Sequence, residues 1–142
     1  MSQNNAFDRQ ELANFCSTQY GWEASFAMMM VNEFLDRFMI IKRMAKDHDA
    51  ELVSPSGLID QVWHASLLFT KKYAAFCEQT IGFFVHHDPN GAMDSDNERR
   101  YVRYTDTLEA YKIMFGEEAP VLIWEPMMFK ENHVYSEWIY EL

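Results

Sequence analysis

The sequence predicts an all-α fold: a single-domain bundle of four main helices, with an extended strap and an aromatic C-terminal segment. Three observations carry this expectation. Apolar residues recur at spacings of three and four through most of the chain, only five Gly and four Pro interrupt 142 residues, and these fall where helices would start or stop. With 49% apolar and 15% aromatic residues, a chain of this length buries roughly 70% of its extended surface on folding. It needs no disulfide or metal staple.

Asp8 is placed to cap a first helix that runs to about Tyr20, with Leu12, Phe15 and Cys16 on one side and Gly21 as its stop. The second helix is the stretch EASFAMMMVNEFLDRFMIIKRMAKD. Its apolar stripe is Ala27, Val31, Phe34, Leu35, Phe38, Ile41 and Ala45, and Met28, Met29, Met30, Met39 and Ile40 lie outside that seam. Such a helix is wrapped by neighbours on more than one side. After the polar break DHDAE, Ser54 and Pro55 suit the entrance of a third helix that Gly82 closes. VHHDPNGAMDSDN is expected to be a loop, because Asp88, Pro89, Asn90 and Gly91 favour turns. A fourth helix spans about Asn97 to Phe115 on a stripe of Tyr101, Tyr104, Leu108, Tyr111 and Phe115, with Gly116 as its stop.

The two prolines of EEAPVLIWEP suggest the extended strap, and MMFKENHVYSEWIYEL is too apolar to be left loose. The domain is therefore drawn as residues 1–126, with 127–142 as an aromatic segment packed on it or on a partner. No repeat or long linker divides the chain.

Charge narrows the function classes. Twelve Lys and Arg against 22 Asp and Glu give a net charge of −10, which repels a phosphate backbone. The basic clusters KRMAK (42–46) and ERRYVR (98–103) read as helix faces carrying solvated charge, so no nucleic acid is expected as a partner. No membrane is expected either, since the longest apolar run, FAMMMV, is too short to span a bilayer. Cys16 and Cys77 have no CxxC partner and lie in amphipathic segments, which suggests buried thiols in a reducing, intracellular (cytoplasmic), soluble setting.

On YGW at 20–22, NEFLDRF at 32–38, LIDQVWHASLLFTKKYAAFC at 58–77, IGFFVHHDPNG at 81–91, YTDTLEAYKIMFG at 104–116 and LIWEP at 122–126, the chain resembles a known family. It is similar, over about residues 7–126, to the glycine-rich domain-containing proteins of plants and their small bacterial relatives. The resemblance implies a helical domain and no particular activity. Members often carry a second His two residues after the WH pair, where this chain has Ser66, and many continue into a glycine-rich tail that this chain replaces with aromatic residues.

The residues that carry candidate chemistry are Asp60, Trp63, His64, His86 and His87. Residues four apart on a helix share a face, so Asp60 and His64 can reach one ion. His86 or His87 would add a third ligand, and Asp88 or His133 a fourth. One carboxylate with two imidazoles suits Zn or Fe(II) and leaves positions open for water or substrate. The competing reading uses the same side chains structurally: Asp60 accepts from a helix terminus, from His64 or from a buried indole, and His64, His86 or His87 pins the following loop to the bundle. Cys77 with His86 or His87 could form a nucleophile pair, but Cys77 lies beside Phe76 on an apolar face. No glycine cradle for a nucleotide is present. The first expectation is a non-enzymatic helical interaction module that docks a protein partner through Tyr135, Trp138 and Tyr140. The alternatives are a metal-binding protein or metal-dependent enzyme, and an acidic inhibitor or adaptor for a basic surface.

Overall fold

The computed structural model describes residues 7–88, 97–127 and 133–142, which are helical with no strand among them. The all-α expectation is met. Most of the expected loop, residues 89–96, and part of the aromatic segment, residues 128–132, lie outside the described residues. The chain divides into two compact units, Met1–Ile40 with Gly57–Phe84, and Ile41–Ser56 with Val85–Leu142.

The first unit opens with α1, Arg9–Tyr20. The Asp8 carboxylate accepts from the amides of Gln10 and Glu11 at 2.9 and 3.2 Å, satisfying two donors that have no partner inside the helix. Gly21, at φ 69°, closes α1 in the left-handed region where a Cβ is strained. Next come α2, Ala24–Glu33, a π-helical turn, Phe34–Phe38, and α3, Met39–Ala45. The expected stripe is buried at every one of its seven positions, and Met30 and Met39 are buried with it. Arg9 holds Asp36 with both terminal nitrogens, at 3.0 and 2.6 Å, and reaches Asn32 at 2.8 Å, which ties the start of α1 to the second helical stretch.

The third expected helix is not one helix. It starts at Gly57 rather than at Ser54–Pro55 and breaks at Phe69, giving α4, Gly57–Leu68, then α5, Thr70–Phe76, and a π-helical turn, Cys77–Ile81. Phe69 leaves helical geometry (φ −88°, ψ 66°), and its ring meets Phe15 of α1 edge-on at 5.4 Å. In an unbroken helix, residues 63 and 73 would be displaced about 15 Å along the axis. The break folds α5 back far enough for the Trp63 indole N–H to donate to the Tyr73 hydroxyl at 3.0 Å. Gly82, at φ 95°, ends the segment as expected.

In the second unit Lys42 contradicts the reading of KRMAK as a solvated face. Its side chain is fully buried and donates to Asp47 at 2.7 Å. The cause is register: Lys42 stands four after Phe38 and three before Ala45, on the apolar stripe itself. Asp47 accepts also from the amides of Glu51 and Val53 at 2.8 and 2.9 Å, so one carboxylate organises the turn between α3 and α4. Lys46 and Ala50, at φ 55° and 61°, give that turn its tight course.

α6, Asn97–Phe115, ends at Gly116 with φ 74°, as the sequence indicates. The strap is a correction. Pro120 accepts from the amides of Ile123 and Trp124 at 3.0 and 2.8 Å, making a turn that buries Ile123 and Trp124 and leaves Val121 and Leu122 outside. The chain finishes in a 3-10 helix, Glu137–Glu141, with Trp138 and Ile139 buried. No helix of the described residues is long and apolar enough to cross a membrane.

Candidate functional site

α4 presents Asp60 and His64 from one face, as their spacing requires. Asp60 Oδ2 lies 3.6 Å from His64 Nδ1, with the side chains 23% and 52% exposed. At that separation the two are electrostatic neighbours rather than hydrogen-bonded to each other. Trp63, between them in sequence, points the other way: it is buried, spends its indole proton on Tyr73 and packs edge-on against Phe38 at 5.1 Å. Its place is in the core. Ser66 is buried and donates to the Trp63 carbonyl at 2.6 Å, so this position faces inward as well.

His86 and His87 belong to the second unit. The His86 amide donates to the His48 carbonyl at 3.0 Å, its ring is exposed, and His87 is half-buried. The thiols of Cys16 and Cys77 are both buried, and burial pushes the Cys16 pKa up to about 11. Such a thiol is a poor nucleophile near neutrality.

The C-terminal segment supplies a site that the sequence did not disclose. Asp106, buried on α6, accepts from the Ser136 hydroxyl at 2.5 Å and from the Ser136 amide at 3.3 Å. His133 Nε2 stands 3.8 Å from Oδ1, the oxygen that accepts from the Ser136 amide; its side chain is 8% exposed, and among the described residues Nε2 has no hydrogen-bond partner. The His133 ring lies edge-on to Tyr101 and Tyr135 at 5.4 and 4.8 Å. Ser, His and Asp meet here, but the serine hydroxyl donates to the carboxylate and not to the imidazole. The geometry of a base-activated serine requires the reverse. What the trio does is fasten the segment to α6. Burial raises the Asp106 pKa, opposed by the Ser136 bonds and by His133.

One turn along α6, Glu109 accepts from the Tyr135 hydroxyl at 3.2 Å. Of the three expected docking aromatics, Trp138 is buried, Tyr135 is half-buried, and Tyr140 is exposed. Beside Tyr135 a groove of about 410 Å³ runs between the second half of α6 and the Pro120 turn. Glu109, Glu118 and Glu125 line it, and Lys112, the one cationic lining residue among the described residues, is paired with Glu118 at 3.3 Å.

Sequence reasoning missed Asp106 because TDT at 105–107 reads as a polar face. All three residues are buried, each with a partner: Thr105 on Met127 sulfur, Asp106 on Ser136, and Thr107 on the Ser54 amide. A signal was available for Thr107, which lies three after Tyr104 and four before Tyr111 on the aromatic stripe.

No curated protein and no solved structure matches the chain. A family model, UCP032817-like, matches residues 3–105, a span that holds Lys42, Asp47, Asp60, Trp63, His64, His86 and His87 and stops within α6 just before Asp106. That span covers more than half of the chain, which therefore belongs to the UCP032817-like family, an uncharacterised family.

Proposed function

We propose that the protein is a non-enzymatic helical interaction module whose contact surface lies on the second unit. One observation carries the reading. Val121, Leu122, Val134 and Tyr140, all of that unit, are 70%, 82%, 77% and 73% exposed, and large apolar side chains held outward in number mark surfaces that bind other proteins. The resemblance to glycine-rich domain-containing proteins, which implies a helical domain without a particular activity, agrees with it. The two buried thiols agree with a reducing compartment. A photo-crosslinking residue at position 122 of the full chain tests the reading in extract of the source cells. A discrete crosslinked partner, lost when Val121 is changed to Asp, is expected. Crosslinking no stronger than from an exposed polar position would refute it.

A second reading has its own observation. Asp60 and His64 are held 3.6 Å apart on one face of α4, a carboxylate beside an imidazole. We assign to these two side chains part of the donor set for a divalent Zn or Fe ion. Elemental analysis of protein purified without chelator is expected to find one ion per chain, lost in His64→Ala. Metal-free native protein ends this reading.

A further inference from the structure

The groove of the second unit has a chemistry that selects its occupant. Its lining combines apolar residues, Leu108, Val121, Trp124, Pro126 and Met127, with three carboxylates, Glu109, Glu118 and Glu125. Lys112 cancels Glu118 at most. Glu109 accepts from the Tyr135 hydroxyl at 3.2 Å, and the Tyr104 hydroxyl, which donates to the Glu125 carbonyl at 2.9 Å, lies 3.4 Å from the Glu125 carboxylate; a hydrogen bond from a phenol leaves the charge of a carboxylate in place. Among the described residues no cation pairs with Glu109 or Glu125 beside this apolar lining. Val121, one of the groove's lining residues, and Leu122 next to it in sequence are both exposed.

A side chain complementary to such a lining has a long aliphatic stem ending in a cation, the stem for its apolar residues and the head for its carboxylates. Lysine and arginine have this form, and aliphatic neighbours in the same segment would cover Val121 and Leu122. We infer that the groove docks a protein segment in which basic and aliphatic residues alternate at short spacing. The inference rests on the interaction-module reading and names the partner's chemistry. It also agrees in sign with the net charge of −10, which draws basic partners and slows acidic ones.

The test uses the full chain and a fluorescein-labelled synthetic helix-forming peptide carrying Leu and Arg on one face. Its controls are the same peptide with Glu for Arg, and one with Ser for Leu. Saturable anisotropy with the Leu/Arg peptide alone is expected. Binding should weaken at least tenfold in Val121→Asp, weaken in the paired change Glu118→Gln with Glu125→Gln, and fall as salt is raised. Val121 and Glu118 are exposed, and unchanged circular dichroism and melting would certify the fold of each variant.

Three results overturn the inference: no saturable binding, equal binding of the Glu-for-Arg peptide, or binding untouched by either variant. A concentration-dependent dimer in sedimentation, abolished by Val121→Asp and not displaced by the Leu/Arg peptide, makes a second copy the occupant and overturns it too. If the position-122 crosslink finds a partner while the peptide fails, the groove chemistry falls and the interaction module stands. If both fail, both fall.

Discussion

At the scale of single residues the protein is governed by two buried aspartates with opposite pH behaviour. Burial works against the Asp47 carboxylate, but Lys42 and the amides of Val53 and Glu51 outweigh it and hold its pKa below the usual aspartate value. Its stabilising contribution is thus present above the ordinary value of 3.8 and is lost as pH falls through its lower folded value. Lys42→Met would leave that carboxylate buried and uncompensated, and we expect a loss of about 3–5 kcal/mol in urea unfolding. Asp106 runs the other way. Burial raises its pKa, so its contribution is complete below the ordinary carboxylate value and fades as pH rises through the raised one. A comparison of wild type with Asp106→Asn across that range should show the wild type losing ground to the variant as pH increases. A constant difference would contradict this sign. The legibility of these residues in sequence was uneven. Lys42 could have been read as buried from its register on the stripe, whereas Asp47, Ser136 and Asp106 are joined by turns and tertiary packing that leave no spacing signal.

At the scale of elements, the ends of α1 and α6 were plain because each is set by local chemistry: Asp8 with two amides to satisfy, and Gly21 and Gly116 in left-handed geometry. The break at Phe69 was not plain, for no Gly or Pro marks it. Its cause is a contact between distant residues, the Phe69 ring on Phe15 and the Trp63 indole on Tyr73, and a periodic pattern is blind to such contacts. Tyr73→Phe tests the second of these. It strands a buried indole N–H, which costs about 1–3 kcal/mol, and the change should appear both in the denaturation midpoint and in tryptophan emission. The strap was misread for a related reason: two prolines fix φ locally, but whether the residues between them extend or turn depends on the burial of Ile123 and Trp124. On α4, the shared face of Asp60 and His64 followed from spacing alone, while the inward course of Trp63 depended on its distant partner.

At the scale of the whole molecule, the order of the segments constrains what can be cut. The chain leaves the first unit at Ile40, returns at Gly57 and leaves again at Phe84, so neither unit is a continuous stretch. Residues 85–142 alone lack the 41–56 segment, and with it the Lys42–Asp47 pair and the Ser54 amide that Thr107 accepts. We expect that fragment to show little helix by far-ultraviolet circular dichroism at temperatures where the full chain is folded. Strong native-like helicity would show that the 41–56 segment is dispensable. Within the second unit, residues 133–142 are fastened to α6 through Asp106 and Glu109.

The two cysteines give this molecule a built-in clock. Both thiols lie in the first unit, out of reach of solvent, and Cys16 is held protonated by its surroundings. A maleimide or disulfide reagent can therefore modify them only during excursions that open that unit. The rate of labelling, followed against reagent concentration until it no longer rises, would count those openings directly, with no engineered probe and no denaturant.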